Sequence, residues 1–286
     1  MDLWFSEKFT PYAMMSIQVD RQLFSGQSDY QRIDVFDSKE FGRILVIDGY
    51  LMLTERDEFI YHEMMVHVPM AVHPEVRTVL VIGGGDGGVV RELTRYDTIE
   101  QIDMAEIDEK VVAVSRQYLP FTAGKLNDPR LSIHYQDGHQ YVGQCENKYD
   151  LIIIDSTDPF GPGERLFTRK FYENCRKALH VDGIMVNQHE SPFYEEDALA
   201  MQRAHTGIVE FFQISQVYQA HIPTYASGHW LFGFASNHYH PLFNLRAEEW
   251  NNLKIETGYY NTDLHRGAFA LPNYVKKMLE DAPLAE

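Results

Sequence analysis

Apolar and polar residues alternate with a period of two in three short stretches near the start of the chain, at residues 14–19, 30–36 and 43–47. That period marks half-buried strands. Asp48-Gly49 is a hairpin turn signal, and residues 50–54 supply the returning strand. Together these predict a small antiparallel β domain over residues 1–54. Residues 55–70 contain no Gly or Pro before Pro69 and predict a helix. From Arg77 the pattern changes to short apolar runs separated by helical stretches. Strands are expected at 78–82, 101–107, 131–135, 150–154 and 183–188, and helices at 88–96, 108–119, 138–145 and 168–179. Such alternation predicts an α/β domain over residues 55–286 with a mostly parallel sheet. Residues 213–221 and 229–235 add later strands, with an antiparallel member among them.

The composition narrows the class. With 286 residues, 44% of them hydrophobic, the chain has ample material for a packed core. No run approaches the roughly 18 apolar residues that span a membrane. The first residues show neither the basic region nor the apolar run of a secretory signal, so a cytoplasmic location is expected. Cys145 and Cys175 lie far apart and outside any CxxC pair, which argues against a disulfide framework or a structural zinc site. Forty-two acidic against 25 basic residues give a net charge of −17. Such a field repels nucleic acid and attracts cations.

The positions of the acids sharpen this picture. In an open α/β sheet, ligands bind beyond the carboxyl ends of the strands. The segments just past the five expected parallel strands carry Asp86, then Glu106 and Asp108, then Asp137, then Asp155 and Asp158, then Glu190. Single acids there often serve turns and helix caps. Five in succession, without Arg or Lys among them, predict a positively charged ligand. Gly83, Gly85 and Gly88 form a G-x-G-x-x-G pattern with Glu106 where a ribose-binding acid belongs. This pattern fits NAD, FAD or an adenosyl sulfonium compound. A carboxylate about 4 Å from a phosphate costs roughly 4 kcal/mol at an effective dielectric of 20. Asp86 therefore disfavours a dinucleotide, whereas beside a sulfonium or ammonium the sign reverses. His62 and His67 do not make a zinc-binding helix. Five residues correspond to roughly 500° of turn and separate the rings by about 140°; His67 is expected to be a core or surface histidine, and no metal is expected.

These residues resemble the spermidine synthases of the aminopropyltransferase family over almost the whole chain. The resemblance rests on TERDEFIYHEM at 54–64, GGGDGG at 83–88, DSTDPFGP at 155–162 and IPTY at 222–225. YYN at 259–261 and HRGAF at 265–269 add to it. GGGDGG alone is a weak signal, but the ordered combination is specific. The resemblance implies a methyltransferase-like (Rossmann-type) catalytic domain, a homodimer or homotetramer, and no cofactor. The donor is a co-substrate, decarboxylated S-adenosylmethionine, and the acceptor a small diamine such as putrescine. It implies that Gln31, His62, Asp86, Glu106, Asp137 and Gly138 bind the donor. Among them Asp86 takes the aminopropyl amine, Glu106 the ribose hydroxyls and Asp137 the adenine amino group. Tyr61, Asp155, Asp158, Gln188 and Tyr225 are implied to line the diamine site, with Asp155 as the base that deprotonates the amine and Tyr61 and Tyr225 aiming it. Glu190 is a further candidate for the distal ammonium. Trp230 either closes the far end of the pocket or is a core aromatic. Residues 157–170 resemble a gatekeeping loop.

Many family members carry Gln-Gly-Glu-Ser after the fifth strand, where this chain reads Gln188-His189-Glu190-Ser191. The imidazole is expected to narrow the pocket and, when protonated, to oppose a dication. That bears on the choice among putrescine, agmatine, cadaverine and spermidine. Two rival readings share the fold. An S-adenosylmethionine methyltransferase would need a site for the donor's carboxylate, where the glycine loop offers an acid. A non-catalytic polyamine sensor would not need Asp155, Tyr61 and Tyr225 intact.

Overall fold

The computed structural model of the protein describes residues 2–156 and 161–282. The first part of the chain forms two sheets. β1 (Leu3–Thr10) and β2 (Ala13–Val19) make a two-stranded antiparallel hairpin. β3 (Arg21–Gln27), β4 (Arg32–Ser38), β5 (Gly42–Ile47) and β6 (Tyr50–Thr54) follow as a four-stranded antiparallel sheet in chain order. Asp48 and Gly49 both have positive φ (50° and 91°), the conformation that lets a two-residue turn match the twist of its strands. β1 and β3 escaped the pattern reading because each buries few residues on either face, leaving little alternation to detect. The four-stranded sheet lays Ile33, Val35, Leu45 and Leu53 against a helix of the second part, through Val111, Val114 and Leu119.

That second part begins with α1 (Glu58–Met70), a helix buried on almost every face, so it carries no polar stripe. Then come β7 (Thr78–Gly83), α2 (Gly88–Leu93), β8 (Gln101–Glu106), α3 (Glu109–Tyr118), α4 (Pro120–Ala123), β9 (Leu131–Tyr135), α5 (Gly138–Val142) and β10 (Tyr149–Asp155). A 3-10 turn at Gly161–Phe167 leads to α6 (Arg169–Ala178), capped by the Thr168 side chain. β11 (Leu179–Gln188), α7 (Glu195–Val209), β12 (Ile214–His221) and β13 (His229–Ser236) complete the sheet, and α8 (Ala247–Asn252), α9 (Thr262–Ala268) and α10 (Asn273–Glu280) follow.

The seven strands run in the order β12-β13-β11-β10-β7-β8-β9. β7 to β11 run parallel to one another, and β13 is antiparallel to both β11 and β12. The central strands are buried on both faces. Val79, Val81, Leu151, Ile153, Ile184 and Val186 pack with α1 and α2, whereas Leu80, Ile82, Ile152, Ile154 and Met185 pack with α6 and α7. Two buried faces explain the unbroken apolar runs in these strands. The order reverses between β7 and β10: the chain leaves β7 toward β8 on one side and returns to β10 on the other. Crevices at such reversals are where open α/β sheets bind ligands. The stretch 189–212, left without an element by periodicity, contains α7. Among the described residues no helix is long and apolar enough to cross a membrane.

Candidate active site

A cavity of about 560 Å³ opens at the carboxyl ends of β7, β8, β10 and β11, at the strand-order reversal. Its size lies within the roughly 300–1,000 Å³ of small-molecule sites. The register of β10 against β7 sets Asp155 opposite Gly83, so the acid after the fourth parallel strand and the glycine loop after the first share one floor. The approach is close. A Cβ on Gly83 would lie 2.1 Å from the Asp155 carbonyl oxygen, and Gly83 has φ +82°. A Cβ on Gly88 would stand 2.2 Å from the His62 ring, so only glycine lets α2 begin against α1.

On the glycine-loop side, Gln31, His62, Asp86, Glu106, Asp137 and Gly138 all line the cavity. Gln31 reaches in from the four-stranded sheet and donates to Asp108 Oδ2 at 3.0 Å. Asp108 itself caps α3 and is not a lining residue. Glu106 accepts from the Gly85 N–H (3.1 Å) and the Asp108 N–H (2.9 Å). Burial nevertheless pushes its carboxyl up to about 7, aided by the nearby Asp108 and Asp155 charges and opposed by those two N–H groups. Asp137 accepts from the His139 N–H at 2.8 Å and stands 3.5 Å from the exposed Arg165 guanidinium.

His62 changes the electrostatic picture. Its Nδ1 is 2.6 Å from Glu58 Oε2 and its Nε2 is 3.3 Å from Asp86 Oδ1. Burial alone would lower its pKa, but Asp86 and Glu58 override this and hold it at about 10. An imidazolium thus sits inside the acidic crest, where the spacing of the acids alone predicts only negative charge. Burial also works to raise the Asp86 carboxyl, yet His62 and the Gly88 N–H outweigh it and keep it below the usual carboxylate range. Asp155 goes the other way, to about 7, through burial and the Asp86 charge, with His62 and Tyr61 only partly offsetting them. Its Oδ1 accepts from the Tyr61 hydroxyl at 2.9 Å, and its Oδ2 is shut from solvent without a hydrogen-bond partner among the described residues. Two neighbouring carboxylates with divergent pKa values are the mark of separated charge-holding and proton-accepting roles.

The remaining wall is formed by Tyr61, Gln188, Glu190, Tyr225 and Trp230. Gln188 donates Nε2–H to Glu190 Oε1 at 2.6 Å, and the Glu190 N–H donates back to Gln188 Oε1 at 3.1 Å, across a left-handed Glu190 (φ +65°). Tyr225 donates its hydroxyl to the Met52 carbonyl at 2.6 Å, and Thr224 is tied to Asp57 at 2.7 Å. The IPTY segment is therefore stapled to the junction of the two parts of the chain. Trp230 packs edge-on against Tyr225 at 4.8 Å and lines the cavity. Asp158 lies outside the described residues, as does part of the stretch 157–170. Gly163 and Leu166 from that stretch reach the cavity.

His189 requires a correction. It neither lines the cavity nor carries charge. It is turned into the core, wholly buried, beside Asn187 (Nδ1 3.0 Å from Nδ2) and edge-on to His205. Burial and the His205 neighbour depress its pKa to about 3. The alternation of a strand end sends Gln188 and Glu190 one way and the residue between them the other. Sequence reading also missed lining residues on the β1–β2 hairpin, Glu7 to Pro11, and on α7, Glu196 and Asp197. No motif marks them, and neither β1 nor α7 is among the expected elements.

Ligand atoms of His62, Asp86 and Asp155 lie within 4.8 Å of one another, a grouping with metal-like spacing. An imidazolium with Nδ1 bonded to Glu58 and Nε2 paired at 3.3 Å with Asp86 has no lone pair to give a metal. His67 faces elsewhere, between Tyr96 and Glu92 in the core.

With this geometry in view, the likeness to known proteins is informative. The family model described as Spermine/spermidine synthase domain matches residues 58–246, and Spermidine synthase tetramerisation domain matches residues 3–55. The chain belongs to the spermine/spermidine synthase family. It is an enzyme of the polyamine aminopropyltransferase class. The polyamine aminopropyltransferase of Clostridium perfringens strain SM101 is 66% identical over 281 residues, which cover 98% of this chain and 99% of that one. That of Alkaliphilus oremlandii strain OhILAs is 64% identical over 280 residues, with 98% and 99% covered. A crystal structure of spermidine synthase in complex with the transition-state analogue AdoDATO superimposes with a TM-score of 0.95 at 42% identity, covering 97% of this chain and 95% of that one. Spermidine synthase from Thermotoga maritima gives 0.92 at 40%, covering 97% and 94%.

Proposed function

We propose that this aminopropyltransferase makes spermidine from decarboxylated S-adenosylmethionine and putrescine, releasing methylthioadenosine. One observation carries the reading. Asp155 presents a solvent-shielded carboxylate oxygen without a hydrogen-bond partner among the described residues, on a carboxyl whose pKa is raised to about 7, at the meeting of the glycine loop and the Gln188–Trp230 wall. A primary amine is nearly all protonated at neutral pH, and a base poised near 7 suits its deprotonation. In this reading the amine nitrogen attacks the methylene beside the sulfonium. The new C–N bond forms as the C–S bond breaks, its electron pair goes to sulfur, and the proton passes to Asp155. Tyr61 fixes Asp155 and, with Tyr225, aims the amine. Holding two substrates in line contributes several kcal/mol to lowering the barrier. Asp86, the ionised member of the pair, suits the donor's ammonium, with His62 behind it. Glu106 and Gln31 suit the ribose end, and Asp137 with Gly138 the adenine. Glu190, Gln188 and Trp230, with Asp158, suit the distal end of the diamine.

We read the chain as a homo-oligomer, a tetramer in preference to a dimer. The match of residues 3–55 to a tetramerisation domain supports this, as do Leu3, Trp4, Tyr12 and Met14 exposed on the β1–β2 hairpin. Cytoplasmic residence accords with two unpaired thiols, Cys145 and Cys175.

The test is turnover with decarboxylated S-adenosylmethionine and a panel of putrescine, cadaverine, agmatine and spermidine. Methylthioadenosine and the polyamine product are followed by chromatography, and putrescine should give the highest kcat/KM. Preference for another amine overturns the acceptor assignment. Absence of methylthioadenosine with every amine overturns the reaction. Transfer of label from the donor's methyl group to the acceptor would establish a methyltransferase instead.

A further inference from the structure

Behind the cavity lies a buried acid that the reaction above does not use. Glu58 begins α1, is 7% exposed and does not line the cavity. One helical turn before His62, it faces the same side of the helix. Its Oε2 is 2.6 Å from His62 Nδ1, and Arg91 of α2 donates Nη1–H to Oε1 (2.6 Å) and Nη2–H to Oε2 (3.0 Å). The other edge of the imidazole meets Asp86 Oδ1 at 3.3 Å. The chain Arg91–Glu58–His62–Asp86 thus ends beside Asp155.

We propose that Glu58 is a positioning residue. By accepting a hydrogen bond from the rear nitrogen of His62, it keeps the imidazole doubly protonated and aimed at Asp86. The positive charge then stabilises Asp86 as the ionised pole, and Asp155 is left to accept the amine's proton. This deepens the aminopropyl-transfer reading and rests on it for the role of Asp155.

Two carboxylates this close do not ionise alike, and a cation bonded to one of them decides which holds the charge. The charged and titratable groups around His62 come from four elements. α1 contributes Glu58 and the Tyr61 ring, edge-on at 5.4 Å. The glycine loop contributes Asp86, and β10 contributes Asp155. From α2 comes Arg91, whose charge is taken up by Glu58 and Glu92, and where a Cβ on Gly88 would strike the ring. The charge on His62 is thus set from behind by Glu58 and read out in front by the carboxylate pair.

The experiment is Glu58→Gln. Glutamine keeps an acceptor for His62 and removes the charge, and Arg91 retains Glu92 and the Phe121 carbonyl, each at 2.9 Å. The first readout needs no turnover: ring-15N NMR titration of His62 in the ligand-free enzyme, assigned with His62→Gln. In the wild type, His62 should stay protonated through neutral pH, and in Glu58→Gln its titration should move down by about three units, into the neutral range. The second readout is the pH profile of kcat/KM. Its acid limb should move up by about one unit, lowering kcat/KM about five-fold at pH 7 with recovery to within about two-fold at pH 9. Glu58→Asp should restore much of both. A wild-type His62 that titrates in the ordinary imidazole range overturns the proposal even if Glu58→Gln fails to fold. So does a Glu58→Gln enzyme with both titrations unmoved. Failure of the reaction itself would appear as absent turnover in the wild type, with the NMR titration still deciding the His62–Glu58 link.

Discussion

Replacing Asp155 by asparagine separates activity from stability, because the structure gives the two effects opposite signs. Asparagine is nearly the same size and keeps an oxygen for the Tyr61 hydroxyl, so the bond at 2.9 Å has an acceptor. What disappears is a charge held beside Asp86 in a shielded pocket. The Asp155 pKa rises from 3.8 to about 7, and three units correspond to about 4 kcal/mol. A carboxyl whose folded pKa is raised binds its proton more tightly in the folded than in the unfolded state. Its contribution is therefore most favourable when it is protonated and is lost as pH climbs from about 4 to 7, after which the loss is complete. That figure is an upper bound, because the residue is partly exposed and solvent screens part of the charge. Urea melts at pH 8 should show Asp155→Asn about 1–3 kcal/mol more stable than the wild type. At pH 4 the advantage should vanish. In the same samples kcat for methylthioadenosine release should fall by about 10²–10⁴, the usual contribution of a positioned base. A variant that keeps more than about a tenth of wild-type kcat, or one less stable at pH 8, refutes the assignment.

Two further outcomes follow from the same geometry. Intact S-adenosylmethionine carries a carboxylate that would approach Asp86; at about 4 Å that costs roughly 4 kcal/mol, so calorimetry should show it binding at least about a hundredfold more weakly than the decarboxylated donor, and equal affinity would remove Asp86 from the ammonium site. His189→Ala should destabilise the protein by about 2–3 kcal/mol through the cavity it leaves while shifting the KM for the amine by less than about two-fold; a change in acceptor preference would return His189 to the pocket wall.

Much of the catalytic half was legible from local pattern. The runs at 78–82 and 150–154 are continuous because β7 and β10 lie within a covered parallel sheet, and the acids beyond the strands fall at the crevice because parallel strands all end on the same side. Elements without a one-sided burial pattern were not legible. β1 and β3 expose both faces, and α7 follows an irregular turn in which Glu190 is left-handed.

The sequence by itself determined the alternation of strands and helices, the glycines at the first turn and the order of acids along the crest. Each of these depends on a residue and its near neighbours. Only the tertiary structure decided which acids are alike. Asp86 and Asp155 are the same residue type after adjacent strands, yet His62 from α1 depresses one while burial beside its partner raises the other. Likewise His189, flanked by two lining residues, points into the core because a strand end alternates its faces. Charge and burial depend on distances between segments far apart in the chain, and no local pattern carries them.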